Sequence, residues 1–143
     1  MAKRKVIRHN APRGKLIGWK WAEGSNYSGT VIIKLEIPAH AHVIRSNARY
    51  GIKYRASEAK VLEIHELNYW GRYARAGKRL DVKPRSRKVW AQHYELPEPR
   101  YYYYYTGKIA RPHNPFDQDV RQNCGSGIHF FLNRKHALAK CFG

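Results

Sequence analysis

The sequence predicts an α+β fold: one small domain, built mainly on an antiparallel sheet, with one or two short helices and a basic N-terminal arm. Three observations favour this class. The chain has 143 residues, a length that suits a single hydrophobic core. It is 43% hydrophobic, with 4 Trp, 11 Tyr and 4 Phe, which is too apolar for a disordered polycation. Short β-branched or aromatic runs recur between Pro and Gly, as is typical of strands.

After an arm at 1–14, the first half of the domain is predicted to be mostly strand. Residues 29–37 (GTVIIKLEI) show this best, because β-branched residues alternate around Lys34 and Glu36 and Pro38 ends the run. The predicted elements are, in order, a strand at 15–21, a strand at 29–37, a loop at 39–50, one helical turn at 57–60 and a strand at 61–65.

The second half begins with a basic excursion at 66–88. Neither strand nor helix periodicity holds there, and Gly71, Gly77 and Pro84 interrupt it. Long loops in compact domains are usually functional or disordered. The remaining elements are a strand at 89–96, an aromatic strand at 101–105, a loop at 111–117, a strand at 127–132 and a helix at about 134–141, which Asn133 would cap. The whole of 15–143 is thus predicted to be one domain.

The positive charge is concentrated in two blocks. The chain has 28 Lys plus Arg against 10 Asp plus Glu, a net charge of +18. Residues 1–20 carry basic groups and no acid, and residues 72–88 contain Asp81 as their one acid. Concentrated like charge repels itself, so we expect a polyanionic partner, nucleic acid by default. The alternative is a solvated basic face that only aids solubility, which leaves the absence of acids from the arm unexplained.

Aromatic residues interleave with the second block, an arrangement that suits stacking on single-stranded nucleic acid. Anchoring of these rings to the core is the alternative interpretation. The residues predicted to bind the polyanion are Lys3, Arg4, Lys5, Arg8, Arg13, Arg72, Arg75, Lys78, Arg79, Lys83, Arg85, Arg87, Lys88, Tyr73 and Trp90.

The sequence contains no complete metal or catalytic set. Cys124, His129, His136 and Cys141 are weak zinc candidates, because their spacing matches no standard finger and a strand followed by a helix rarely brings four ligands together. Cys124 and His129 also lack the third group that a nucleophile and its base require. The H-x-E of a zinc deaminase occurs without its P-C-x-x-C. We therefore predict no catalytic residue, no metal and no cofactor.

Several segments together resemble an uncharacterised domain family of large DNA viruses, phages and some pentapeptide-repeat proteins. They are LEIPAHA at 35–41, RSN at 45–47, YRASEAKVL at 54–62, YTGK at 105–108 and CGSGIHFF at 124–131. The resemblance covers most of residues 15–140 and implies a viral or phage protein, although the family has no established activity. The arm, the excursion and Tyr54, where the family pattern has Cys, depart from it.

The first hypothesis is therefore a non-enzymatic module of viral type that binds nucleic acid or a nucleoprotein assembly through the arm and residues 72–88. A structural virion protein, such as a minor capsid or cement component, is the alternative. A second alternative is an ADP-ribosyltransferase-like enzyme, because residues 127–131 with Ala137 are similar to a strand and helix of those enzymes, although no matching glutamate is found. No membrane span or export signal is expected, and the expected location is the virion or the host cytoplasm or nucleus.

Overall fold

The computed structural model describes residues 5–23, 30–47, 52–67, 82–85, 89–93, 100–122 and 125–140. The strands are β1 (Arg8–His9), β2 (Leu16–Glu23), β3 (Thr30–Ile37), β4 (Val43–Arg45), β5 (Lys53–Ala56), β6 (Ala59–Leu67), β7 (Val82–Arg85), β8 (Val89–His93), β9 (Arg100–Tyr104), β10 (Ile109–Ala110) and β11 (Ile128–Phe131). The helix α1 spans Arg134–Lys140. Within these residues, no helix is long and apolar enough to cross a membrane.

Nine of the strands form one mixed sheet. Its order is β1-β4-β5-β11-β2-β3-β6-β10, with β7 also paired to β6, while β8 and β9 form a separate two-stranded sheet. Among the described strands, every pairing is antiparallel except that of β1 with β4. The structure therefore confirms a small, mostly antiparallel domain with a short C-terminal helix.

Two local predictions are wrong, and both concern short segments. The predicted helical turn at 57–60 is replaced by the start of β6, where Ala59 and Lys60 pair with Ala110 and Ile109. The predicted loop at 39–50 contains β4, which pairs with both β1 and β5. In each case the hydrogen-bond partners come from distant parts of the chain, and local propensity carries no information about them.

The N-terminal segment joins the sheet instead of forming a separate arm over its described residues. Arg8 and His9 lie in parallel register with Val43 and Ile44, and the amide of Val43 donates to the carbonyl of Ile7 at 2.9 Å. Residues 1–4 lie outside the described part. Of the predicted excursion at 66–88, the first two residues complete β6 and residues 82–85 form β7; the rest lies outside the described residues.

The main core lies on one face of the sheet, because alternate side chains of β3 point to the same side. Val31, Ile33, Leu35 and Ile37 are fully buried there, together with Phe130 of β11. The opposite face carries a smaller cluster in which Ile32 and Phe131 pack against Ala137 of α1. The helix α1 thus covers part of the sheet face that lies opposite the main core.

Gly18 of β2 is required for the packing of the main core. A Cβ there would lie 2.5 Å from Cδ2 of Phe130 and 3.1 Å from Cδ1 of Ile37. We expect Gly18→Ala to lower the free energy of unfolding by about 1–3 kcal/mol, the usual effect of overpacking. Urea unfolding of Gly18→Ala, Phe130→Leu and the double variant measures this. If the clash is the cause, the double variant is more stable than the sum of the single losses predicts; strict additivity would contradict it.

Candidate polyanion-binding surface

The carboxylates whose side chains the structure describes are all paired with cations of the same domain. Glu58 accepts from both His40, at 2.8 Å, and Arg111, at 3.1 Å. Further ion pairs among the described residues include Lys15–Glu36 at 3.5 Å, Lys34–Glu63 at 3.8 Å, Arg55–Asp117 at 4.0 Å and Arg121–Asp119 at 2.9 Å. Hydrogen bonds from Arg121 lower the pKa of Asp119 to about 2. These carboxylates are therefore neutralised by cations of the domain itself.

Exposed cations remain that form no ion pair with any described carboxylate. They are Lys5, Arg13, Lys60, Lys108 and Lys135. They come from the N-terminal segment, from β6, from the turn before β10 and from α1. The surplus of positive charge in the described residues is therefore exposed to solvent and distributed over several elements.

Trp19 in β2 lies next to two further cations. It is opposite Lys34 in the sheet, and the Lys34 ammonium lies 5.7 Å from the ring centroid. The Arg134 guanidinium at the start of α1 lies 5.8 Å from the same centroid. Cations at these distances are attracted to the negative ring face. Trp19 thus holds two positive side chains on the helix-covered face of the sheet.

Among the predicted binding residues, Arg8 has a structural role that the sequence does not reveal. Its guanidinium donates to the carbonyl oxygens of Pro12 at 2.7 Å, Ala41 at 3.0 Å, Pro38 at 3.0 Å and Ala39 at 3.3 Å. These bonds fasten β1 to the loop before β4 and engage most of the five N–H groups that an arginine has. Lys5 and Arg13, by contrast, are exposed.

The other predicted binding residues lie in β7, in β8 or outside the described residues. Lys83 and Arg85 lie in β7, and Trp90 lies in β8. The rest lie outside the described residues: Lys3, Arg4, Arg72, Tyr73, Arg75, Lys78, Arg79, Arg87 and Lys88. Their role as polyanion contacts stays a prediction.

The weak zinc set is described only in part. His129 uses Nε2–H to donate to the carbonyl of Gly125 at 2.8 Å, and the ring of His136 meets Phe131 edge-on at 6.4 Å. Cys124 and Cys141 lie outside the described residues. Among the residues that are described, no group of three or more His, Cys, Asp or Glu could hold a metal ion.

His129 is a neutral imidazole at physiological pH. Its pKa is lowered to about 3, mainly by burial and then by the positive charges of Lys20 and Lys53, while the bond to Gly125 acts in the opposite direction. The ammonium of Lys20 also donates to the main-chain carbonyl of His129 at 3.1 Å. The imidazole is therefore a fixed hydrogen-bond donor that fastens the loop before β11.

Arg55 of β5 is the buried residue that organises this loop. It is 2% exposed, and its guanidinium donates to the carbonyl oxygens of Gln122 at 2.7 Å, Asp117 at 2.8 Å and Asp119 at 2.8 Å. The charge is thus compensated by three peptide dipoles and by the carboxylate of Asp117 at 4.0 Å. A buried arginine requires such a complete set of partners.

Two glycines leave room for this arginine. A Cβ at Gly125 would lie 2.9 Å from the guanidinium carbon of Arg55 and 2.5 Å from Oδ2 of Asp117, and one at Gly127 would lie 3.0 Å from Cβ of Arg55. The segments YRASEAKVL and CGSGIHFF are far apart in the sequence. The sequence alone therefore does not reveal the role of Arg55. The pairing of β5 with β11, which sets His129 opposite Arg55, brings the two segments together.

The chain belongs to DUF5758, a family of unknown function, which matches residues 7–137. The match includes β1, in agreement with its pairing to β4 in the sheet. Neither the curated proteins nor the solved structures include a match. The predicted membership of an uncharacterised family is thus confirmed, whereas its viral or phage origin stays a prediction.

Proposed function

We propose that this domain is a non-enzymatic module that binds a polyanion, with nucleic acid as the favoured partner. The observation that carries the proposal is the internal pairing of the described carboxylates. The five exposed cations named above have no such partner among the described residues, and an external polyanion can neutralise them. Release of condensed counterions from a nucleic acid would supply the free energy of binding.

The distribution of these cations favours contacts to phosphates over contacts to base edges. They lie in the N-terminal segment, in β6, in a turn and in a helix, and they are lysines in four of the five cases. Lysine acts as a mobile point charge, whereas base recognition more often uses the planar fork of arginine. We therefore expect low sequence specificity.

The principal test of the proposal is the salt dependence of binding to DNA and RNA. If six to ten phosphates are contacted, affinity is expected to fall by roughly 10³–10⁵ between 50 and 200 mM salt. Fluorescence anisotropy with labelled oligonucleotides measures this. An affinity that does not change with salt, or an absence of binding at low salt, would overturn the proposal.

Two matched variants separate direct contact from net charge. One changes Lys5, Lys60, Lys108 and Lys135 to Gln; the other changes the internally paired Lys15, Lys34, Arg111 and Arg121 to Gln. Both remove the same number of charges. If the unpaired cations contact phosphates, the first variant binds more weakly than the second, and its salt slope on duplex DNA falls by about 0.9 for each phosphate that it no longer neutralises. Equal weakening would show that net charge alone acts.

A third variant, with Arg72, Arg75, Lys78 and Arg79 changed to Gln, tests the basic block predicted from the sequence.

The virion and ADP-ribosyltransferase alternatives remain predictions. Co-purification of the chain with particles at fixed stoichiometry would favour the first, and release of nicotinamide from NAD, abolished in His129→Ala, would favour the second.

A further inference from the structure

The turn between β9 and β10 carries an aromatic ring and a lysine on a well-fastened backbone. The amide of Lys108 donates to the carbonyl of Tyr105 at 3.1 Å, which closes the turn. Gly107 has a φ of 84°, a conformation that glycine adopts without strain. Two bonds join the turn to Val61 of β6: the amide of Gly107 donates to the Val61 carbonyl at 2.7 Å, and the amide of Val61 donates to the Lys108 carbonyl at 2.9 Å.

This segment is unusually exposed for its composition. Tyr105 is 43% exposed and Ile109 is 46% exposed. Lys60, which lies opposite Ile109, and Lys108 are also exposed. Because β10 is the last strand in the order of the large sheet, this turn and its neighbours lie at a sheet edge. We call Lys60, Tyr105, Lys108 and Ile109 the β10 edge.

The charge of the β10 edge is positive. Neither Lys60 nor Lys108 forms an ion pair with a carboxylate of the described residues. The nearest acid along the chain from Lys60, Glu58, already accepts from Arg111 and His40. An anionic partner would therefore meet, on one sheet edge, two lysines that pair with no described carboxylate and an exposed ring.

We infer that the β10 edge is a contact site for single-stranded nucleic acid, in which the Tyr105 ring stacks on a base and Lys60 and Lys108 neutralise adjacent phosphates. Exposed rings beside cations suit single strands, because unpaired bases can present their faces while the backbone stays in contact with the lysines. The bases of a duplex are already stacked and cannot do so. The inference rests on the proposed function and adds to it a place and a class of ligand.

The test compares Tyr105→Leu and Tyr105→Phe for binding to an oligothymidylate and to a duplex of equal length. We expect Tyr105→Leu to weaken binding of the single strand by about 5- to 150-fold, the range for removal of one stacked base. Tyr105→Phe should keep most of the affinity, because the ring is retained. Binding of the duplex should be unchanged in both variants.

The lysines are tested by Lys60→Gln combined with Lys108→Gln. If both lysines neutralise phosphates, this variant should lower the salt slope on the single strand by about 1.4, at about 0.7 for each phosphate. Lys15→Gln combined with Arg121→Gln removes the same charge from cations that are paired with Glu36 and Asp119 of the domain, and serves as the control. Thermal unfolding of each variant confirms that it is folded.

The outcomes separate the inference from the proposed function. Salt-sensitive binding that persists unchanged in Tyr105→Leu and in the Lys60, Lys108 variant would overturn the inference and leave polyanion binding in place. Equal weakening of single strand and duplex by Tyr105→Leu would also overturn it. A wild-type protein that binds neither oligonucleotide at low salt would overturn both.

Discussion

Arg55→Met is expected to lower the free energy of unfolding by about 3–5 kcal/mol, the usual effect of removing one partner from a buried charged network. Methionine retains much of the length and apolar volume of the side chain but none of its donors. The carbonyl oxygens of Asp117, Asp119 and Gln122 would each be deprived of a charge-assisted hydrogen bond of 2.7–2.8 Å. Such bonds to charged groups contribute about 1.5–3 kcal/mol each, so the expected loss allows for partial access of water.

Arg55→Lys tests whether charge alone is sufficient. A lysine would keep the positive charge beside Asp117, but its ammonium cannot reproduce the planar fork that reaches three separate carbonyls. We expect it to recover only part of the stability that Arg55→Met removes. Full recovery would show that the fork geometry is unimportant.

Arg121 offers a matched control for Arg55, because both arginines contact Asp119. The guanidinium of Arg121 donates to both carboxylate oxygens of Asp119 at 2.9 and 3.0 Å, but its side chain is 82% exposed. Exposed ion pairs contribute little to stability, so Arg121→Met should unfold close to wild type in urea. Equal destabilisation in the two variants would contradict the role assigned to Arg55.

The loop before β11 is expected to be destabilised more than the rest of the domain. In Arg55→Met, the amides of Asp117 and Asn47, which donate to Ser126 and Val120, are expected to exchange with solvent much faster than those of β3. Hydrogen exchange followed by mass spectrometry measures this difference. A uniform increase over the whole sheet would instead indicate a general loss of stability.

The elements that the sequence predicts well are those whose own residues show a local pattern, such as alternation or a capping residue. Residues 33–37 of β3 alternate buried and half-buried side chains, and Asn133 caps α1, its side chain accepting from the amide of Lys135 at 2.8 Å. β1, β4 and β5 are short, and they are defined by partners far away in the chain. The pairing of Arg8 with Val43 is an example. No local window contains that information.

The roles of charged residues were harder to predict than the strands. Arg8 and Arg55 are both arginines in a strongly basic chain, and composition cannot separate them from cations that face solvent. What separates them is the ring of main-chain carbonyls that the fold places around each guanidinium. Charge counted along the sequence therefore overstates the number of groups that can meet a polyanion. The lysines on β6, on the turn before β10 and on α1 are not among the residues predicted from the sequence, because only the fold shows that they pair with no described carboxylate.

The stability of this domain is expected to fall between pH 6.5 and pH 3 partly because of His129. Burial, followed by Lys20, Lys53 and Arg55, lowers its pKa from 6.5 to about 3. In that interval the unfolded chain binds a proton at His129 and the folded chain does not, so acid favours unfolding. Above pH 6.5, His129 does not make the free energy of unfolding depend on pH. Below pH 6.5, it lowers that free energy by up to about 1.4 kcal/mol for each pH unit.

His129→Gln isolates this contribution, because glutamine can offer an N–H to the Gly125 carbonyl but does not titrate. Absence of the ring makes the variant less stable than wild type at pH 7.5. At pH 4.5 the difference in free energy of unfolding should be smaller by about 2–3 kcal/mol. The reason is that, between pH 6.5 and 4.5, His129 lowers the stability of the wild type only. Urea unfolding at the two pH values gives both differences.

Lys53→Met checks the electrostatic part of this effect. Lys53 lies in β5, two residues before Arg55, and its positive charge disfavours protonation of the imidazole. Its removal should move the His129 titration, followed by NMR of the ring protons, toward higher pH, while burial still keeps it below the ordinary value. The acid-induced loss of stability would then begin at the same pH but end sooner, because the unfolded-state pKa is unchanged. A titration that does not move would show that Lys53 does not contribute to the low pKa of His129.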